Sequence, residues 1–196
     1  MKAFLKKLGF VSPDPAAMAL YATAVLAARE ETYYTACGVP DTLDGRFDMV
    51  SLCVSLVNAR ISRMASEHPE RARDLIQELF DVMFADMDIN LREMGVSDEG
   101  MKYRIKPMAS AHAGRVVAYG EAVSVQDDTE RLKRLGEVVK RNIFRNCEDK
   151  SGADSVARRA FALSRQLDEA SDDDIWSGRF EFKAVAHAPA TGGGDS

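Results

Sequence analysis

Residues 47–61, Phe-Asp-Met-Val-Ser-Leu-Cys-Val-Ser-Leu-Val-Asn-Ala-Arg-Ile, constrain the fold of this chain more than any other stretch. Wound into a helix, they place Met49, Val50, Leu52, Cys53, Val54, Leu56 and Val57 on nearly every side. A helix that is apolar all round leaves no face for water, so other elements must enclose it. The enclosure has to come from a chain of 196 residues, a length that fits one core better than two.

The flanking sequence supplies helices for that purpose. Ser12-Pro-Asp-Pro15 reads as a turn and helix start, and a first helix is expected from Pro15 to Thr35, ended by Gly38-Val-Pro40. Asp41 or Asp44 is placed to cap the central helix. A third helix is predicted over Pro69–Met94, where Leu79 or Phe80, Met83 or Phe84, Met87, Leu91 and Met94 recur at spacings of three and four. Gly95 closes it. The fourth carries the stripe Met101, Ile105, Met108, His112, Val116 and Tyr119, with Pro107 inside, so a kink or two short helices are expected. A fifth follows from Asp127 or Asp128 to Phe144, and a sixth from Asp154 to Ala170. Beyond Ser171 helical periodicity is lost, through Asp172-Asp-Asp174, Trp176, the alternating Arg179-Phe-Glu-Phe-Lys183 and Gly192-Gly-Gly194. The pattern therefore predicts an all-α, single domain of about six helices around one central apolar helix, with a poorly structured acidic C-terminal tail. The boundaries are 1–13 for a basic N-terminal segment, 14–170 for the helical domain and 171–196 for an acidic and Gly-rich tail, partly disordered.

Charge excludes some partners. The formal net charge is −5, without the basic excess expected of a DNA-binding domain. Over residues 98–165 cations outnumber acids by 14 to 10. Cys37, Cys53 and Cys147 are odd in number and in no metal-ligand spacing, so they read as reduced thiols of a reducing compartment. Met1–Val11 has lysines but no apolar run long enough for a signal peptide, which points to a cytoplasmic protein.

Catalytic chemistry finds no support. There is no Glu-x-x-His pair for a di-iron site, no phosphate loop and no nucleophile elbow, so no catalytic residue, metal or cofactor is assigned. Asp81 with Asp88, and Asp86 with Glu93, repeat at seven residues and read as solvated charge opposite the apolar stripe. His112 reads as a core histidine with a satisfied hydrogen bond, since no second ligand is spaced to join it. Met83, Met87, Met94, Met101 and Met108 cluster in one stretch, a composition that suits either ordinary core packing or a surface accepting varied apolar partners.

At Gly38-Val-Pro-Asp-Thr-Leu-Asp-Gly-Arg-Phe-Asp48 and Leu79-Phe-Asp-Val-Met-Phe-Ala-Asp-Met-Asp-Ile-Asn-Leu-Arg-Glu-Met-Gly-Val-Ser-Asp98 the chain resembles the ubiquinol-cytochrome c chaperone family, in its bacterial form. The likeness continues through Gly100-Met-Lys-Tyr-Arg-Ile-Lys-Pro-Met108 into Gly114–Tyr119, and spans residues 14–147. It implies an all-helical, non-enzymatic assembly chaperone that binds newly made cytochrome b and supports biogenesis of the cytochrome bc1 complex. A ribosome or membrane surface is a further candidate partner, at the cytoplasmic face of the inner membrane. The mitochondrial members work with a small helper protein, and the resemblance leaves open whether one accompanies this chain.

An apolar client needs an adaptable apolar surface, and the family motifs and methionines are densest between Phe80 and Tyr119. The candidate client-binding residues are therefore Phe80, Met83, Phe84, Met87, Leu91, Met94, Met101, Lys102, Arg104, Ile105, Lys106, Met108 and Tyr119. Lys102, Arg104 and Lys106 can meet charged client loops, ribosomal RNA or anionic headgroups. Asp44, Gly45, Arg46, Phe47 and Asp48 form a structural motif, with Arg46 expected to ion-pair with Asp48 or a neighbouring helix. The alternative function is a peripheral membrane or protein-interaction module in which Phe4, Leu5 and Leu8 lie on a bilayer surface beside lysines.

Overall fold

Asp14 opens the first helix by accepting a hydrogen bond from the Ala16 N–H at 2.8 Å, with Pro15 in the first turn where its missing N–H is no loss. The computed structural model describes residues 13–185, all helix, turn and loop. Helix α1 (Pro15–Ala28) buries Leu20 and a row of alanines, which let it pack closely on its neighbours. It stops short of the expected Thr35. Glu30 leaves the helical region, with φ −55° and ψ 124°, and its carboxylate pairs with buried Arg159 far along the chain. A short α2 (Glu31–Thr35) resumes after the break.

Helix α3 (Leu43–Arg63) begins earlier than the apolar run suggests, and its cap is Thr42 rather than Asp41 or Asp44. The Thr42 hydroxyl accepts from the Gly45 N–H at 3.1 Å. A Cβ at Gly45 would collide with the Pro40 carbonyl oxygen, so no other residue fits this helix start without a shift of the backbone. Every residue from Phe47 to Asn58 is buried, because α1, α4, α5 and α7 all pack against α3. A 3₁₀ turn (Met64–Ser66) leads into α4 (Pro69–Glu93), and Gly95, at φ 82°, makes the left-handed turn into α5 (Asp98–Val123). Ser97 caps α5 through the Gly100 N–H at 3.3 Å. Helix α6 (Asp128–Asn142) is capped by Asp127, and α7 (Ala153–Glu169) packs on α6 and α3.

Two expectations are narrowed. Helix α5 runs unbroken through Pro107, which lies on the exposed side of the helix. The carbonyl of Tyr103, deprived of its donor there, can be solvated instead of left bare in the core. The chain also stays ordered past Ala170: α8 (Asp172–Ser177) is capped by Ser171, and Trp176 and Phe180 are buried in the core. Arg60 of α3 fixes this return by donating to the carbonyls of Leu167 at 2.9 Å and Ala170 at 3.0 Å and by pairing with Asp172. The alternating Arg179–Lys183 piece forms no strand, and its backbone is tied to Thr23 and Gln166 side chains. Residues 1–12, with the lysine-flanked Phe4, Leu5 and Leu8, and residues 186–196, with Gly192–Gly194, lie outside the described residues.

Candidate functional site

The repeat Leu75, Leu79, Met83, Met87, Leu91 keeps one face of α4 turned inward, and all five side chains are buried. Met101 and Tyr119 of α5 are buried as well. Of the thirteen candidate client residues, then, Met83, Met87, Leu91, Met101 and Tyr119 are packing residues and do not reach a surface. Met83, Met87 and Leu91 continue the leucine stripe of α4, whereas no such leucine stripe marks Met101 and Tyr119 on α5.

The remaining candidates divide: Phe84, Ile105 and Met108 pack against the core while partly exposed, and the others reach the surface of α4 and α5. Met94 is 63% exposed; Tyr103, which lies outside the candidate set, is 74% exposed. Phe80, Phe84, Ile105 and Met108 are half-buried, while Lys102, Arg104 and Lys106 are exposed. Among the described residues none of these three cations forms an ion pair, whereas neighbouring Arg92 is held by Asp88 at 2.7 Å and Asp98 at 2.5 Å. Ile89 and Val117 are also large exposed apolar residues of the two helices. The sequence pattern marks neither, because each falls off the apolar stripe and nothing in its spacing separates an exposed valine or isoleucine from ordinary surface.

Beneath this surface the motif at the start of α3 ties α3 to α5. Asp48 is buried and its carboxylate contacts Arg115 of α5 at 2.6 Å and Arg145 beyond α6. Burial pushes the Asp48 carboxyl above its ordinary value, against the pull of Arg115 and Arg145, and burial likewise lowers the Arg115 guanidinium. With two guanidiniums in contact, Asp48 stays a carboxylate at neutral pH. Arg115 also lies over the Phe47 ring, 5.2 Å from its centroid. Arg46 does not join this cluster. It pairs with Asp41 at 2.6 Å, and the two side chains are 61% and 56% exposed. One residue of helix, roughly a 100° turn, separates Phe47 from Arg46, and Phe47 takes the inward direction.

One turn before Arg115, His112 is buried between α3 and α4. Its Nδ1 lies 2.8 Å from the Ser51 Oγ. Phe80 and Phe84 of α4 flank the imidazole, with centroids 6.2 and 6.1 Å away. Burial, with Arg115 adding to it, lowers the imidazole pKa to about 4, so His112 is neutral at physiological pH.

Two α4 acids that the spacing singles out, Asp81 and Asp86, accept hydrogen bonds from side-chain donors. Asp86 accepts from the Tyr21 hydroxyl at 2.7 Å and Asp81 from the Gln77 amide at 2.9 Å. Among the described residues no three His, Cys, Asp or Glu side chains come together to hold a metal ion. Cys37 and Cys53 are buried, Cys147 is half-buried, and none is disulfide-bonded. No helix among the described residues is long and apolar enough to cross a membrane.

The sequence model of the family described as ubiquinol-cytochrome C chaperone matches residues 35–182. This span begins at α3's approach and reaches through α8, well past the recognisable motifs. Among solved structures, the chain is similar to the crystal structure of the Cbp3 homolog from Brucella abortus, at 29% identity and a TM-score of 0.72, covering 94% of this chain and 97% of that one. No curated protein matches it.

Proposed function

The chain belongs to the ubiquinol-cytochrome c chaperone family, and from that premise we propose that it binds newly made cytochrome b and shields its apolar segments until the bc1 complex is assembled. Membership supplies the coarser statement, a chaperone of bc1 assembly. The identity of the client, the surface that meets it and a wholly non-enzymatic mode of action are our own inference.

The observation that carries the inference is the outer face of the α4–α5 hairpin. Met94 is exposed at the end of α4, Phe80, Phe84, Ile105 and Met108 are half-buried along the two helices, and Lys102, Arg104 and Lys106 are exposed on α5 with no ion partner among the described residues. An apolar helix laid on these side chains gains about 25 cal/mol for each Å² removed from water. Methionine and tyrosine suit a client whose sequence varies along its length, because one is flexible and the other has an apolar ring with a polar tip. Lys102, Arg104 and Lys106 are placed to meet the polar ends of the same segment or the anionic headgroups around it. The candidate client-binding set thereby contracts to the exposed and half-buried members, and the five inward-facing residues act by holding the hairpin in shape.

Deletion of the gene tests the function. Assembled bc1 complex and spectroscopic b-type haem should fall while the cytochrome b transcript stays level. Normal bc1 content in a clean deletion strain would sink the proposal.

A further inference from the structure

His112 holds a feature that core packing leaves unexplained. Its Nδ1 faces the Ser51 hydroxyl at 2.8 Å, but its Nε2 is buried and has no hydrogen-bond partner among the described residues. If Ser51 donates to Nδ1, the proton sits on Nε2 and one group is left unpaired. If Nδ1 donates to Ser51, both the Ser51 hydroxyl proton and the Nε2 lone pair lack partners. The first arrangement leaves fewer groups unsatisfied, so Nε2 carries an N–H. Native cores rarely leave such a donor unpaired, and where they do, the exception calls for an explanation.

The surroundings suggest one. Phe80 and Phe84 stand one turn apart on α4 with centroids 4.5 Å from each other, and both flank the imidazole. Each is half-buried, and both belong to the apolar surface assigned above to the client. Half-buried phenyl rings have solvent on one side into which they can turn, unlike the fully buried Met83 between them.

We propose that His112 is a polar anchor within the client-binding surface: an apolar helical segment displaces Phe80 and Phe84 and places an oxygen acceptor, a serine or threonine hydroxyl or a carbonyl freed at a helix end or kink, on the Nε2–H of His112. This rests on the client reading of the α4–α5 face and deepens it. The anchor gives selectivity, since a segment made only of hydrocarbon would bury the same area and leave the donor unpaired, while one with a correctly placed oxygen would satisfy it. It also explains why a histidine, and not another apolar residue, occupies the stripe of α5 at this position.

Detergent-solubilised apocytochrome b is the probe, with wild type, His112→Phe and His112→Gln compared for capture and for melting temperature. Phenylalanine keeps the apolar volume and removes both ring nitrogens, so capture should weaken about tenfold, and the loss of the Ser51 partner should lower the melting temperature by only a few degrees. Glutamine restores an N–H donor and should recover most of the loss. Capture by His112→Phe equal to wild type overturns the anchor. A wild-type chain that fails to capture apocytochrome b overturns the client reading first, and the anchor with it. Should His112→Phe not fold, ¹⁵N NMR of wild type decides the matter: the Nε2–H signal should be present in the free protein and shift on adding apocytochrome b. An Nδ1–H tautomer, or an Nε2–H signal unmoved by bound client, overturns the proposal.

Discussion

Replacing Asp48 with asparagine removes one charge from the junction of α3 and α5 with almost no change of volume. The side chains of Asp48 and Arg115 are 2% and 7% exposed and touch at 2.6 Å, so the neutral variant strands a buried guanidinium. Breaking a buried pair from one side costs about 3–5 kcal/mol. For a domain of this size that lowers the melting temperature by about 10 °C. The structure also orders the neighbouring variants. Arg115→Leu should cost less than Asp48→Asn, because Arg145 still contacts the Asp48 carboxylate. The double variant Asp48→Leu/Arg115→Met should recover much of the loss, since a well-packed apolar pair avoids the desolvation of both ions. Urea unfolding followed by circular dichroism, applied to each variant and to wild type, measures each difference. A loss below about 1 kcal/mol for Asp48→Asn, the range of an exposed pair, would refute the buried-junction reasoning.

Arg46→Ala is the matching control: its partner Asp41 is exposed, so stability should stay within about 0.5 kcal/mol of wild type, and a large loss would contradict the geometry. Stability should also depend on His112 as pH falls. The folded pKa is depressed to about 4, below the ordinary 6.5, so the contribution is fully present above pH 6.5 and is lost between there and pH 4. The loss amounts to about 3 kcal/mol, and His112→Phe should remove that part of the slope in urea titrations at successive pH values. Gly45→Ala forces a Cβ into the Pro40 carbonyl and should cost about 2 kcal/mol or more, against about 1 kcal/mol for Thr42→Ala, which only loses the cap. On the client surface, Met94→Asp and Tyr103→Asp should leave the melting temperature within about 2 °C of wild type and weaken capture of apocytochrome b several-fold. Unchanged capture by both would move the site elsewhere.

The helices could be read from the chain because their signals are local. Pro15 behind Asp14, Gly95 behind Met94 and Asp127 before α6 each act within one turn, and the all-round apolar run of α3 fixes what must lie at the centre. What escaped the sequence depends on partners far along it. Nothing near Arg29 announces a break, and Glu30 is drawn out of the helix toward Arg159. Helix α8 is too short for periodicity to register, and it is held by Arg60 of α3. The site was legible as a region but not in its individual residues. Spacing marks Met83 and Met94 alike as apolar, yet one continues the leucine stripe and the other sits at the exposed helix end. Arg46 and Asp48 share one motif, and only the register of α3 against α5 decides that Asp48 has the buried partner.

Recovery of cytochrome b with this protein from membranes of the native cell tests the central claim most directly. Tagged wild-type chain should bring down newly made cytochrome b as its main apolar partner, ahead of the other bc1 subunits, and Met94→Asp should reduce that recovery without lowering the amount of folded chaperone. Cytochrome b absent from the recovered proteins, or recovered no more than unrelated membrane proteins of equal abundance, would contradict it.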